Sequence, residues 1–153
     1  MNIELRPYAE SDLPMLEAWG GMAHCRAHMS RYLPRKFKTN TDEWRLYIIT
    51  ADGTAAGAVW IELHYDTVHY DLGIMIGDER MLGKGIGRSA VMQAVCAARK
   101  VFNYDAVYLN VRRDNERAIR CYTAVGFVIV DAFTRRYDDG TEVQGYRMEL
   151  KVR

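Results

Sequence analysis

Apolar and polar positions change their spacing several times along the chain, and each change marks an element. Ile3 and Leu5 alternate with Glu4 and Arg6, which predicts a short strand over 3–6 that Pro7 ends. Leu13, Leu16 and Trp19 then recur at helical spacing behind Ser11 and Asp12, which can cap a helix, with Pro14 tolerated in its first turn and Gly20 and Gly21 stopping it. A second amphipathic segment covers 22–32, closed by Pro34. The basic, polar run over 35–42 reads as a solvated loop, with the lining of a substrate entrance as the alternative. Strands are predicted over 44–51 and 55–64, joined at Asp52 and Gly53, and over 68–76 after a turn near Tyr65 and Asp66. These three form an antiparallel meander.

The following stretch organises the rest. Leu72, Ile74, Met75 and Ile76 make a buried strand, and the chain then passes through Gly83-Lys84-Gly85-Ile86-Gly87 into an alanine-rich helix over 87–102. Strand, glycine loop and helix start together make a device for holding phosphate. Glycines let the backbone approach closely, and the free N–H groups of the first helical turn point at an anion. A plain tight turn is the alternative. Beyond it, 106–111 is a strand, Asn115 caps a helix containing Ala118, Ile119, Tyr122 and Val125, and Gly126 ends that helix. Strands over 127–131 and 145–151 close the chain across a turn at Asp138, Asp139 and Gly140. The order predicts an α/β fold, one domain over 1–153, with a mixed, mostly antiparallel sheet of about seven strands and helices on both faces.

Composition narrows the setting. The chain has 153 residues, 49% hydrophobic and 27% charged, with a net charge of +1. That suits one soluble domain, and it gives no reason to expect a nucleic-acid surface. No apolar run approaches the roughly 18 residues of a membrane span, and the N-terminus is charged too early for a secretory signal. Three widely spaced cysteines, Cys25, Cys96 and Cys121, fit reduced thiols and a cytoplasmic location.

Three phosphate ligands compete for the glycine loop. A P-loop needs GxxxxGK[ST], but Gly77 lies one residue too far from Gly83 and Lys84, and Gly85 stands where the metal-binding hydroxyl belongs. A dinucleotide fingerprint matches at Gly85, Gly87 and Ala90. It also needs an acidic residue closing the next strand, whereas Asp105 precedes that strand and Asn110 and Arg112 lie towards its end. The third ligand is the pyrophosphate of coenzyme A. Residues 74–97 resemble the acetyl-CoA-binding motif of the GNAT superfamily of N-acetyltransferases, whose loop reads Q/R-x-x-G-x-G/A; here it is Leu82-Gly83-Lys84-Gly85-Ile86-Gly87. Val111, Asn115, Ala118, Tyr122, Gly126 and Phe127 match a second motif of that family, V-x-x-x-N-x-x-A-x-x-x-Y-x-x-x-G-F. The likeness covers 68–131 well. Leu82 departs from the family's Gln or Arg, and Arg80 or Arg88 could supply the missing charge.

The resemblance implies a fold, a co-substrate and a site. Acetyl-CoA would be held by Ile74, Met75 and Ile76 on the strand, by Leu82, Gly83, Lys84, Gly85, Ile86, Gly87 and Arg88 around the loop, and by Asn115, Ala118 and Tyr122 on the later helix. Acetyl transfer to a primary amine needs a neutral nitrogen, a polarised carbonyl and a protonated leaving thiolate. A free alkyl amine has a pKa of about 10.4, so a base should take its proton. A backbone N–H within 74–76 would polarise the carbonyl, and Tyr122 stands where the family's tyrosine protonates the thiolate. Asp71 is the first candidate base and Glu62 the second. Cys121 has no histidine placed beside it, which argues against an acetyl-cysteine, so the expected route is direct attack in a ternary complex. His64, His69 and Asp66 read as turn residues rather than metal ligands, and the chemistry calls for no metal.

The acceptor is a small-molecule amine or a protein amino group. The segment 115–122 is similar to aminoglycoside 6′-N-acetyltransferases and to ribosomal-protein N-terminal and polyamine acetyltransferases. Glu10, Asp12 and Glu17, with Glu62 and Asp71, could make a cleft for a polycation, but Arg26, Arg31, Arg35, Lys36 and Lys38 argue against it. Trp19, Tyr32, Phe37, Trp44 and Trp60 read as core residues, with an apolar acceptor pocket as the alternative. A non-catalytic acyl-CoA-binding module is the rival function, and sheet edges near the C-terminus leave room for a homodimer.

Overall fold

The computed structural model describes residues 1–29 and 37–152. The close of the second helical segment, with Arg31, Tyr32 and Pro34, and the start of the basic loop at Arg35 and Lys36, lie outside the described residues. The strands are β1 (Ile3–Pro7), β2 (Trp44–Ala51), β3 (Thr54–His64), β4 (His69–Ile76), β5 (Ala106–Arg112), β6 (Val128–Arg136) and β7 (Glu142–Lys151). The helices are α1 (Leu13–Gly20), α2 (Ala23–Met29), α3 (Ile86–Arg99) and α4 (Glu116–Val125). Among the described residues, one seven-stranded sheet holds every strand, in the order β1-β2-β3-β4-β5-β7-β6. Neighbours are antiparallel except β4 and β5, which run parallel because α3 carries the chain back across the sheet between them. Among the described residues, no helix is long and apolar enough to cross a membrane.

Period-two alternation divides the core between the two sheet faces. Val59, Ile61, Leu72 and Ile74 point to one side, where Ala90, Val91, Ala94 and Val95 of α3 and Tyr122 of α4 complete a buried cluster. Ala58, Trp60 and Met75 point to the other, with Leu16 and Trp19 of α1 and Cys25 of α2. Trp19, Phe37, Trp44 and Trp60 are all buried in that second cluster, so they form core rather than an acceptor pocket. Trp19 packs so closely over the chain after β4 that a Cβ at Gly77 would sit 2.0 Å from its ring.

Several boundaries differ from the sequence reading, among them the end of α3, which stops at Arg99 rather than 102. β4 begins at His69 because Val68 has φ of 57° and belongs to the turn. β6 runs five residues past Asp131, and β7 starts three earlier than Gly145, the two pairing out to Arg136 opposite Glu142. The extra length was hidden because β6 is exposed at every residue except half-buried Phe133 and carries a bulge between Ile129 and Asp131, so no alternation marks it.

Candidate active site

β4 and β5 share a single register position, Asp71 opposite Tyr108. Beyond it β4 continues from Leu72 to Ile76 paired only with β3, so its other edge is open. The groups on that edge follow from the ladder. Gly77 N–H donates to the Ala56 carbonyl at 2.8 Å, and the register with β3 is unbroken. Backbone groups alternate sides along a strand, so Met75 and Gly73 bond to β3, while the N–H and C=O of Ile74 and Ile76 turn towards the gap. Consistent with this, the Ile76 carbonyl accepts from His24 Nε2 at 2.9 Å and from the Cys25 thiol at 3.5 Å.

A cleft of about 690 Å³ occupies the gap, within the range of ligand sites. β4 forms its wall through Ile74, Met75 and Ile76, and the loop and start of α3 close one end through Leu82, Gly83, Gly85, Ile86, Gly87 and Arg88. Gly83 and Gly85 have φ of 74° and 80°, left-handed values that an L side chain adopts only at a cost, and nothing lies within 4 Å of where either Cβ would be. Gly85 is the N-cap of α3, and no side chain caps that helix. The backbone N–H groups of its first turn therefore meet the cleft with their partial positive charge.

α4 forms the opposite wall. Asn115 starts it, its side-chain oxygen accepting from Ala118 N–H at 3.4 Å, and Ala118, Cys121 and Tyr122 follow one face into the cleft. Tyr122 is buried, its ring edge-on to Phe127 at 5.9 Å, and burial pushes its pKa well above the usual tyrosine value. The hydroxyl is thus a proton carrier at any physiological pH. Gly87 lies where the two helices meet, and a Cβ there would touch Cys121 Sγ at an ordinary contact distance of 3.4 Å.

Twelve of the thirteen residues expected around the coenzyme line this one cleft; Lys84 is not among its lining. Arg80 is held by Asp78 at 3.0 Å, which leaves Arg88 to supply charge, joined by Arg117 and Arg120 of α4. The three guanidinium groups give the cleft the polarity that a phosphate-bearing ligand needs.

The two expected bases are not brought to the cleft. Asp71 lies at the root of the gap, where Arg147 of β7 holds both its oxygens at 2.5 and 2.8 Å. Glu62 sits opposite Asp71 on β3, beside His64 Nε2 at 3.4 Å and Lys38 Nζ at 3.8 Å. Both are absent from the cleft lining, and Asp71 has its lone pairs committed to a guanidinium. Sequence reasoning missed His24, Cys25 and Glu79, which line the end of the cleft nearest Ile76. No local pattern announces them, because α2 docks on β4 only in three dimensions.

Known proteins resemble this architecture. The model of the acetyltransferase (GNAT) family matches residues 13–127. A 58-residue stretch is 36% identical to an N-alpha-acetyltransferase of Sulfurisphaera tokodaii; the match takes in 38% of this chain and spans 35% of that relative's length. Among solved structures, aminoglycoside acetyltransferase AAC(6′)-Ib in complex with coenzyme A superposes with a TM-score of 0.77 at 22% identity, over 99% of this chain and 95% of that one. Spermidine N-acetyltransferase from Vibrio cholerae, in complex with CoA and spermine, gives a TM-score of 0.79 at 18% identity over 97% and 95%. At those identities the two structures speak to the fold.

Proposed function

The chain belongs to the acetyltransferase (GNAT) family, and from that premise we propose that it transfers the acetyl group of acetyl-CoA to a primary amine by direct attack in a ternary complex. The observation that carries the proposal is the meeting, in one cleft, of an open β4 edge, an uncapped glycine-led helix start and a buried tyrosine. These features fit acetyl-CoA part by part. The loop backbone and Arg88 take the pyrophosphate, the outward N–H groups of Ile74 and Ile76 take amide and thioester oxygens as an added strand would, and Asn115 and Ala118 bound the chain between.

Acetyl-CoA supplies an activated acyl group on a thiol leaving group. The protein supplies orientation, holding donor and acceptor in one cleft. A β4 amide polarises the carbonyl, and Tyr122 gives its proton to the departing sulfur. Because burial disfavours a lasting phenolate, that proton is replaced by one shed from the nitrogen as the amide forms.

The acceptor class follows the relatives: aminoglycoside, polyamine and polypeptide α-amine are its candidate forms. The three cysteines are free thiols, in keeping with a cytoplasmic protein. A homodimer would use β6, the C-terminal of the two edge strands of the sheet, where Val128, Ile129 and Val130 stand half-exposed. The test of function is release of free thiol from acetyl-CoA with kanamycin, spermidine or a peptide with a free N-terminus. Turnover with any of them supports acetyl transfer, while coenzyme binding without turnover on a broad amine panel favours an acyl-CoA-binding module.

A further inference from the structure

The reaction proposed above needs a group that takes the amine proton, and neither carboxylate expected for it reaches the cleft. We propose that His24 on α2 is that catalytic base, an inference that rests on the acetyl-transfer reading. Its Nε2 lies 2.9 Å from the Ile76 carbonyl. A carbonyl only accepts, so Nε2 carries the hydrogen, and the neutral ring keeps its lone pair on Nδ1. The bond therefore fixes the tautomer and anchors the ring to the strand residue whose N–H faces the gap. Imidazole is also the side chain whose charge changes nearest neutrality.

The sidedness fits the chemistry. Tyr122 reaches the cleft from α4, on the sheet face that carries α3, whereas His24 reaches it from α2, packed on the opposite face. Acid and base thus flank the open edge of β4 from its two sides, one for the leaving sulfur and the other for the entering nitrogen. The other groups at that end serve less well. Burial pushes the Cys25 thiol up to about 11, so it stays protonated, and Glu79 is an exposed residue of the turn after β4.

The proton balance closes. His24 Nδ1 removes one proton from the ammonium form of the acceptor, and the nitrogen lone pair forms the new N–C bond as the C–S bond breaks. The sulfur takes the Tyr122 proton, the nitrogen's second proton restores the phenol, and the imidazolium returns its proton to solvent. Among the described side chains, the charged and titratable neighbours of His24 are Cys25 and Arg26 on its own helix, Asp78 with its partner Arg80, and Glu79 after β4; α1 carries one titratable side chain, Glu17.

The test compares wild type with His24→Ala and His24→Gln, using acetyl-CoA and whichever of kanamycin, spermidine or the free peptide wild type turns over. His24→Gln retains an N–H for the Ile76 carbonyl but offers no base. Both variants should lose about 10²- to 10⁴-fold in kcat/KM while keeping the thermal stabilisation by acetyl-CoA. Added imidazole should restore part of the rate of His24→Ala, and the deficit of both should narrow as pH approaches the acceptor's own pKa. A His24→Gln rate within twofold of wild type, or a deficit that neither imidazole nor high pH relieves, would overturn the assignment. A wild-type protein that acetylates none of the amines would instead remove the acetyl-transfer reading, and the base role with it.

Discussion

Arg147 and Asp71 meet across β5. The guanidinium on β7 holds both carboxylate oxygens on β4 and also donates to Asn110 Oδ1 at 3.1 Å on the strand it bridges. Its central carbon, Cζ, lies 5.0 Å from the centre of the Tyr108 ring, which stacks on His69 at 3.9 Å and donates its hydroxyl to Glu149 at 2.7 Å. Tyr108 and Asp71 are also the single pair at which β4 and β5 are in register. The ion pair therefore acts as a clasp at the root of the cleft, where the two strands begin to part.

Asp71→Asn leaves a half-buried guanidinium without its counter-charge. The expected loss is about 2 kcal/mol, or roughly 4–8 °C in Tm for a domain of this size. Turnover should stay within about tenfold of wild type, because the carboxylate takes no proton from the acceptor. A fall of 10²-fold or more in kcat/KM with an unchanged Tm would make Asp71 the base instead.

Tyr122→Phe keeps the ring against Phe127 and removes only the hydroxyl. kcat should fall by about 10²-fold or more, with KM for acetyl-CoA nearly unchanged. The direction of the Tyr122 shift adds a pH expectation. Since burial raises its pKa, the hydroxyl remains protonated through the ordinary tyrosine value near 10, and the wild-type rate should show no descending limb there.

Asp12 supplies a test of acid stability. Arg6 holds its two oxygens at 2.9 and 2.8 Å and the Ala9 N–H adds a third bond at 2.9 Å, and these hold its carboxyl below the usual aspartate range. A depressed folded-state pKa contributes stability above the unfolded value, about 3.9, and loses it as pH falls through the folded one. Asp12→Asn should thus lower Tm at pH 7, by the equivalent of about 1–2 kcal/mol, and the gap to wild type should close towards pH 2. Parallel Tm curves across that range would contradict this.

Gly85→Ala separates folding from binding at the loop. A left-handed φ of 80° costs an L residue about 1–2 kcal/mol, yet no protein atom lies within 4 Å of the new methyl. Stability should drop modestly, while the methyl intrudes where the pyrophosphate approaches the backbone. Acetyl-CoA affinity, measured by calorimetry, should weaken at least tenfold.

What could be read from the sequence was local. The glycine loop before α3 and the Asn115-to-Tyr122 spacing on α4 are set by a few consecutive residues, and the structure brings both to one cleft. The meander was legible from the Asp52 and Gly53 turn and from alternation in β2 to β4. The clasp was not, because Asp71 and Arg147 are 76 positions apart and neither carries a mark of the other. His24 escaped for the same reason, being 52 positions from the carbonyl it binds. An aspartate beside a predicted coenzyme strand looks like a base until its partner is seen.

The most direct test of the account is a thermal shift with acetyl-CoA beside NAD and ATP. A ligand that binds only the folded state raises its melting temperature by mass action. The cleft described here requires stabilisation by acetyl-CoA and by free coenzyme A, little or none by the other two nucleotides, and a diminished effect in Gly85→Ala. No shift with acetyl-CoA, or a larger one with NAD, would contradict the assignment of the cleft.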